Sequence, residues 1–183
     1  MKALKWIIAI VVVILAVGFI FMTVAKSMTK KHSPGETVQF VDGDLDIEVF
    51  YCRPFKKNRQ VFDSLVPYGV TWRTGANEAT TFTTNTDLKI DGSALKAGSY
   101  TLWTVPNKDE WEVIWNDKMY SWGVTFKDQT ASREPGSDVV NVNVPVRSDD
   151  KVTEQFTILF KEVDGLKMLL KWDNTVIEVP IHY

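Results

Sequence analysis

The residues best suited to chemistry lie in one short stretch, where Trp72, Arg73, Asn77 and Glu78 surround the glycine turn at Gly75. A guanidinium can hold a carboxylate or a phosphate, a carboxylate can accept hydrogen bonds from hydroxyls, and an indole can stack on a ring. This combination predicts a ligand-binding site, with Arg73 as the anion contact and Glu78 as the acceptor. An enzyme built here would use Glu78 as its general acid or base, but the sequence does not identify the second carboxylate that such a reaction needs.

A structural interpretation of the same residues stays open. Arg73 or Arg53 would then pair with Glu78 inside or at the edge of the fold. Asn77 would adopt a left-handed turn conformation, and Trp72 would pack in the core. Buried ion pairs of this kind can fix strand register while adding little net stability.

Tryptophan is abundant beyond the first 31 residues, and its side chain suits both sugar binding and a protein core. Trp111, Val113 and Trp115 share one face of a predicted strand, a spacing that favours the core over a sugar-binding platform. Trp122 lies in the long loop at 116–137, where we expect it to be exposed and where function often resides. The candidate ligand-binding residues are therefore Arg53, Trp72, Arg73, Asn77, Glu78 and Trp122.

Histidine and cysteine are too scarce for several classes of active site. His32, His182 and Cys52 do not suffice for a zinc site, and no G-x-S-x-G motif indicates a serine hydrolase. Cys52 lies in an apolar strand and is predicted to be a buried small side chain. The run of aspartates at 42–46 lacks the length and the distal glutamate of a calcium-binding loop, so we expect a turn there. The sequence predicts no catalytic residue, no metal site and no cofactor, and it favours a binding protein over an enzyme.

The N-terminal segment indicates in which compartment these residues lie. Residues 7–25 contain no charge, and as a helix they would be about 28 Å long, close to the hydrocarbon thickness of a bilayer. The run exceeds the usual apolar length of a cleaved signal peptide, so we favour an uncleaved signal anchor and keep the cleaved signal as the alternative. We expect a cytoplasmic tail at 1–6, a transmembrane helix at 7–25, a stalk at 26–35 and a soluble domain at 36–183.

The charge of the soluble part restricts its partners. Of the 21 lysines and arginines in the chain, five precede residue 32, whereas all 23 acidic residues follow it, so the remainder has a formal charge of −7. An acidic domain repels phosphate backbones, and nucleic-acid binding is not predicted.

Short alternating segments with frequent turn signals predict the fold. Leu45–Tyr51 has the period of two that is typical of a strand with one buried face. Asp91-Gly92 and Asp164-Gly165 predict hairpins, and Asp173-Asn174 is interpreted as a third turn. Tyr100, delivered by a glycine turn, resembles the tyrosine corner of immunoglobulin-like domains. We predict an all-β antiparallel sandwich, immunoglobulin-like or jelly-roll-like, preceded by one transmembrane helix. The predicted strands are 37–41, 45–51, 70–73, 80–84, 88–90, 99–105, 111–115, 139–146, 156–163, 167–172 and 176–181.

The stretch from Val66 to Thr81, with its Trp-Arg-Thr-Gly-Ala-Asn-Glu core, resembles the signature of a bacterial exported family catalogued as domain of unknown function 2911. Tyr51-Cys52-Arg53-Pro54 and the Ala-Gly-x-Tyr segment at 97–100 resemble further segments of that family. The resemblance covers roughly residues 36–181, and Cys52 and Phe55 depart from the small polar residues expected there. It implies a periplasmic or cell-surface β-domain typical of Bacteroidetes-like bacteria, without an established activity.

Two functional hypotheses follow. The first is a non-enzymatic, single-pass inner-membrane protein whose periplasmic sandwich binds a ligand or partner protein at the cell envelope, as an accessory subunit of a membrane complex in one variant. The second is a carbohydrate-binding or carbohydrate-active module that uses Glu78 and exposed tryptophans. A purely structural domain without a ligand also fits the sequence.

Overall fold

A computed structural model describes the backbone of residues 2–183, without the side chains of residues 2, 3 and 26. It divides the chain into a helical unit, which ends at His32, and a β-unit, Ser33–Tyr183. The helix α1 spans Lys2–His32, and its residues Leu4–His32 form a segment long and apolar enough to cross a membrane, a test that a signal sequence also passes. The helix thus extends past the predicted 7–25 segment and includes residues 26–32 of the predicted stalk.

The β-unit is a set of antiparallel strands joined by turns and two long loops. The longer loops connect β2 to β3 and β7 to β8. In the described residues the strands are β1 Gly35–Asp42, β2 Leu45–Cys52, β3 Thr80–Thr84, β4 Leu88–Ile90, β5 Ser93–Leu95, β6 Gly98–Pro106, β7 Glu110–Asn116, β8 Asp138–Glu162 and β9 Leu166–His182.

The strands form two sheets that share β8. Sheet 1 has the order β1-β2-β3-β6-β7-β8, and sheet 2 has the order β8-β9-β4-β5. The N-terminal part of β8, up to Pro145, pairs with β7, and the part from Val146 onward pairs with β9. The register of β8 against β9 shifts between Ser148 and Thr153, where the strand accommodates extra residues. Such a bulge bends a strand and increases its twist, which allows one strand to serve both sheets.

The core lies between the two sheets. In β2, Leu45, Ile47, Val49 and Tyr51 are all buried, as the alternation predicts, and they belong to one cluster with side chains of β8 and β9. The hydroxyl of Tyr51 crosses this core, donating to the carbonyl of Ile158 at 3.3 Å and accepting from its amide at 2.9 Å. The predicted all-β sandwich with an N-terminal apolar helix is therefore confirmed.

Local turn chemistry explains most of the connections. The hairpins at Asp91-Gly92 and Asp164-Gly165 are present, and both residues of each turn have positive φ. The hydroxyl of Tyr100 donates to the carbonyl of Lys96 at 2.8 Å, which confirms the tyrosine corner.

Three predictions about the strands are wrong. Asp173-Asn174 is not a chain reversal, because β9 runs through it, with Asp173 at a φ of 55° opposite the irregular part of β8. The predicted strands at 139–146 and 156–163 are accordingly one strand, β8. The predicted strand at 70–73 is reduced to a single bridge between Trp72 and Thr104. Turn-forming residues serve a bulge as well as a hairpin, so their local signal does not distinguish the two.

Candidate functional site

The candidate site is built from the two long loops of the β-unit. The β2–β3 loop, 53–79, is tied to the sheets by reciprocal backbone bonds between Trp72 and Thr104 and by a bond from the amide of Ala76 to the carbonyl of Cys52. The β7–β8 loop, 117–137, is joined to it by a bond from the amide of Gly123 to the carbonyl of Asn77 at 3.0 Å. These bonds fix the two loops against each other.

The backbone around Gly75 explains why this motif has its particular residues. A Cβ atom at residue 75 would lie 2.8 Å from the carbonyl oxygen of Cys52, and φ is 154°, so glycine is required. Thr74 and Asn77 have φ values of 54° and 59°, and the left-handed conformation expected of Asn77 is present. The hydroxyl of Thr80 donates to the carbonyl of Thr74 at 2.8 Å and stabilises the turn. The motif is first of all a tight backbone structure.

Trp72 connects this turn to the core. Its indole stacks on Trp172 at a centroid distance of 5.9 Å and packs edge-on against Phe156 and Trp111. Its Nε1 donates to the carbonyl of Gly75 at 2.9 Å. Trp72 is half-buried, so it serves as a core residue on one side and lines a surface groove on the other.

Arg73 follows Trp72 and faces the β7–β8 loop. Its aliphatic stem lies so close to Gly123 that a Cβ there would be 2.2 Å from the Cδ of Arg73. Its Nε is buried and finds no acceptor among the described residues. Burial lowers the pKa of this guanidinium, which reflects the cost of holding a charge away from water.

Glu78 lies beside Cys52 at the other end of the motif. The thiol of Cys52 donates to Oε2 of Glu78 at 3.2 Å, and Cys52 is fully buried, as predicted. Burial and the neighbouring carboxylate raise the pKa of Cys52 to about 11, so this thiol stays protonated and unreactive at neutral pH. Asn77 is also buried, and its side-chain amide donates to the carbonyl of Ser33 at 3.3 Å.

Arg53 lies apart from this cluster and bridges the two sheets. Its Nε donates to the carbonyl of Phe156 at 3.0 Å, one terminal nitrogen donates to the hydroxyl of Thr157 at 2.8 Å, and the other pairs with Glu36. The structural interpretation offered Arg53 as a partner of Glu78, whereas its ion pair is with Glu36. All three side-chain nitrogens of Arg53 therefore have a partner within the fold.

A groove opens between the two loops. Its volume is about 260 Å³, and its walls come from residues 65–73 and 124–131, including Val70, Trp72 and Arg73. A second depression of about 310 Å³ continues it past Gly69 towards Arg133. We call the two together the loop groove. Trp72 and Arg73 are thus the predicted site residues that line an open surface.

The floor of the second depression is held by an ion pair. Arg133 donates through Nε to Asp138 at 3.0 Å, pairs with it again through a terminal nitrogen, and reaches the hydroxyl of Thr71 at 3.3 Å. Burial acts to raise the pKa of Asp138, but hydrogen bonds from Arg133 and Asn116 outweigh it and hold the pKa below its usual value. This pair holds the side chain of Arg133, which lines the depression, in place.

The tryptophans are mostly internal. Trp103, Trp111, Trp115 and Trp172 are at most 2% exposed, which confirms the expected core positions of Trp111 and Trp115. Trp122 is half-buried, less exposed than its loop position suggested. Within the described residues, no group of three His, Cys, Asp or Glu side chains could hold a metal ion.

Sequence reasoning missed the residues that complete the groove. Val70 and Thr71 on one wall and Val124, Gln129 and Thr130 on the other carry no chemical signal of their own. The length of the 116–137 loop was the one available hint, because it indicated a segment long enough to form a wall. The pairing of this loop with residues 65–73 depends on contacts far apart in sequence.

Comparison with known proteins places the β-unit in a family. The chain has no match among curated proteins, and it has no match among solved structures. Residues 33–181 match the model of a family described as a protein of unknown function, DUF2911. That match covers nearly all of the β-unit, including the Trp72–Glu78 motif and both long loops, and the chain is therefore a member of the DUF2911 family.

Proposed function

We propose that this chain is a membrane-anchored, non-catalytic binding protein whose loop groove receives an apolar side chain, with an adjoining acceptor group, from a partner protein at the cell envelope. The observation that carries the proposal is the groove itself, an apolar-walled depression with the cation Arg73 in its wall. Its neighbourhood supports a protein partner. Leu65 and Val70, which line the groove, are 40% and 52% exposed, and Phe126, on the segment of the opposite wall, is 80% exposed; exposed apolar patches mark interaction sites.

The size of the groove favours a side chain over a free small molecule. Its apolar part, of about 260 Å³, is smaller than drug-sized ligand sites, which start near 300 Å³, so a free ligand of that size would have to fill the second depression, of about 310 Å³, as well. A protein segment can place one anchor side chain in such a pocket and cover the rim with its neighbours. The sugar-binding alternative has less support, because the tryptophans of β7 and β9 are packed inside the sandwich and Trp103 of β6 is buried in a second cluster with Ala79 and Ile114.

The helix α1 supports attachment to a membrane. Long domains cross membranes largely regardless of the charges beside the spanning segment, so we propose that the β-unit lies in the periplasm and that α1 is retained as an inner-membrane anchor. In that arrangement the groove is presented to other envelope proteins, and an accessory role in a membrane complex is the natural consequence.

The groove is tested by a variant that changes its wall without touching the core. The full-length tagged protein is purified from its native membrane in mild detergent, and co-purifying proteins are quantified by mass spectrometry. We expect a partner that is recovered with the wild type and lost with Val70→Glu, because a carboxylate in the apolar wall opposes docking. Val152→Glu is the matched control, since Val152 is 49% exposed in β8, and it should retain the partner. Equal recovery with both variants contradicts the role of the groove.

Anchoring is tested separately on the same preparation. The intact mass of the protein should include residues 1–25, whereas a cleaved signal would remove them. Protease added to cells with a permeabilised outer membrane should digest the β-unit if it is periplasmic. Protection until the inner membrane is broken would contradict the proposed orientation.

A further inference from the structure

The outer edge of β1 carries unpaired backbone groups. β1 is the first strand of sheet 1 and pairs only with β2. Alternate residues of an antiparallel strand direct their N–H and C=O to the neighbour and away from it. Three hydrogen bonds fix which residues face away here. The amide of Arg53 donates to the carbonyl of Pro34, and on the β3 side the amide of Asp46, which lies opposite Val41, donates to Oδ1 of Asn85 while the amide of Asn85 donates to the carbonyl of Asp46. The backbone N–H and C=O groups of β1 that face away from β2 are therefore those of Gly35, Thr37, Gln39 and Val41.

Three of the other sheet edges in the described part of the chain are protected. Exposed Pro145 lies on the outer edge of the first part of β8, where it offers no N–H. The edge of the second part is covered by the β2 end, with the Tyr51 hydroxyl on Ile158 and Arg53 on Phe156. β5 has three residues, too few to template a strand.

β1 has none of these protecting features. It is eight residues long, its register against β2 is uninterrupted, and it contains no proline and no lysine. Its inward side is held firmly, because Phe40 packs 6.0 Å from Phe160 and 6.3 Å from Tyr183, measured between ring centroids. The hydroxyl of Tyr183 also donates to Asp42 at 2.7 Å. The edge is therefore long and held in place before any partner arrives.

Charge decides which strand could add to this edge. The β1–β2 hairpin, residues 35–52, contains five acidic residues and no lysine or arginine, and Arg53, directly after it, neutralises one of the five by pairing with Glu36. Like charges opposite one another destabilise a strand pair, so a second copy of β1 is disfavoured. A strand that carries lysine or arginine would gain both backbone bonds and favourable charge pairs.

We infer that the outer edge of β1 is a docking site for an extended, basic segment of a partner protein, which adds to sheet 1 as an antiparallel strand. This mode of recognition takes its affinity from main-chain hydrogen bonds and its selectivity from the side chains. The site is separate from the loop groove, and the inference does not depend on the function proposed for that groove.

The test uses the full-length protein in a non-ionic detergent and a labelled synthetic peptide of eight residues in which lysine alternates with valine. We expect saturable binding to the wild type and to Thr37→Val, which keeps the outward N–H. Thr37→Pro removes that donor without touching the β2 ladder, and it should weaken binding by about tenfold. A peptide with glutamate in place of lysine should not bind. Amide hydrogen exchange should slow in residues 35–42 when the lysine peptide is present.

Several results would overturn the inference. Equal affinity of the lysine peptide for Thr37→Pro and Thr37→Val would show charge attraction without strand addition. Absence of binding, or a chain that dimerises through this edge, would exclude the proposed occupant. If Thr37→Pro lowers the melting temperature, Thr37→Lys is used instead. Thr37→Lys keeps the N–H and adds a charge that repels the lysine peptide, so it should weaken the binding of that peptide. Val70→Glu, in the loop groove, should leave peptide binding unchanged, so the two sites are scored separately.

Discussion

Two arginines of the β2–β3 loop show opposite relations to the fold. Arg53, next to the end of β2, uses all three of its nitrogens on Phe156, Thr157 and Glu36. Arg73, in the tight motif, leaves its buried Nε without an acceptor among the described residues and rests its stem on Gly123. Both are half-buried, yet one is a bridge between the sheets and the other holds a charge in a groove wall.

The difference separates stability from binding. A buried donor with its acceptors stabilises the fold, whereas a partly desolvated charge without them costs free energy. Functional sites are one place where a cost of this kind is found. The comparison therefore assigns Arg53 to the architecture and Arg73 to the proposed binding surface, and each assignment can be broken by experiment.

The largest effect is expected from Gly75→Ala, which disrupts the motif that carries Arg73. The added Cβ would meet the carbonyl of Cys52 in a backbone conformation unsuited to alanine. We expect a loss of about 3 kcal/mol in the free energy of unfolding, or roughly 10 °C in the melting temperature. Gly43→Ala is the control, because its positive φ lies in open space and the cost there should be about 1 kcal/mol. Equal losses would show that the motif is not tightly constrained.

Arg53→Met removes the bridge between the sheets. Glu36 and the carbonyl of Phe156 would both lose their partner, and we expect a loss of about 2–3 kcal/mol in the free energy of unfolding by denaturant titration. Arg59→Met is the control, since Arg59 is exposed and should cost less than about 1 kcal/mol. If Arg53→Met left the free energy of unfolding unchanged, the distinction between the two arginines would be removed.

Cys52, which precedes Arg53 in the chain and interacts electrostatically with Arg73, gives a pH-dependent test. Its pKa is raised from an ordinary value near 9.0 to about 11 in the folded protein, so the unfolded chain loses this proton first as pH rises. The stabilisation is complete below pH 9 and is lost between about pH 9 and 11. Thermal unfolding across this range should show a steeper decline for the wild type than for Cys52→Ala. Tyr51, whose pKa burial raises to about 12, acts in the same direction in both proteins. Parallel curves would contradict the buried position of the thiol beside Glu78.

Arg73→Met should have the smallest effect on stability. It keeps the packing of the stem against Gly123 and removes a desolvated charge, so we expect a change within about 1 kcal/mol. The same variant should lose the partner that binds the loop groove, measured by the co-purification experiment above. A large loss of stability would instead make Arg73 a second structural arginine.

Much of the fold could be predicted from local sequence patterns. The alternation in β2, the aspartate–glycine hairpins and the tyrosine corner all predicted features that are present, because each depends on residues close together in sequence. The reversal predicted at Asp173-Asn174 was wrong, because a positive φ at Asp173 serves a continuous strand opposite a bulge. A turn signal reports backbone conformation and leaves the direction of the next strand open.

The candidate site could be predicted from the sequence only in part. The motif identified Trp72 and Arg73, which line the loop groove, together with Asn77 and Glu78, which lie towards Ser33 and Cys52. Arg53 was grouped with them by residue type, but its partners are on β1 and β8. Chemical type alone does not distinguish a saturated guanidinium from one with an unused donor, since the distinction depends on residues about a hundred positions away.

The sequence by itself determined the apolar helix, the acidic character of the β-unit, the strand periodicity and the family signature, because each is a property of neighbouring residues. Only the tertiary structure decided that β8 joins both sheets, that the 117–137 loop forms a groove with 65–73, and that β1 leaves an unprotected edge. The physical reason is that pairing and packing between distant segments depend on which backbone groups and surfaces remain unused after the local elements have formed.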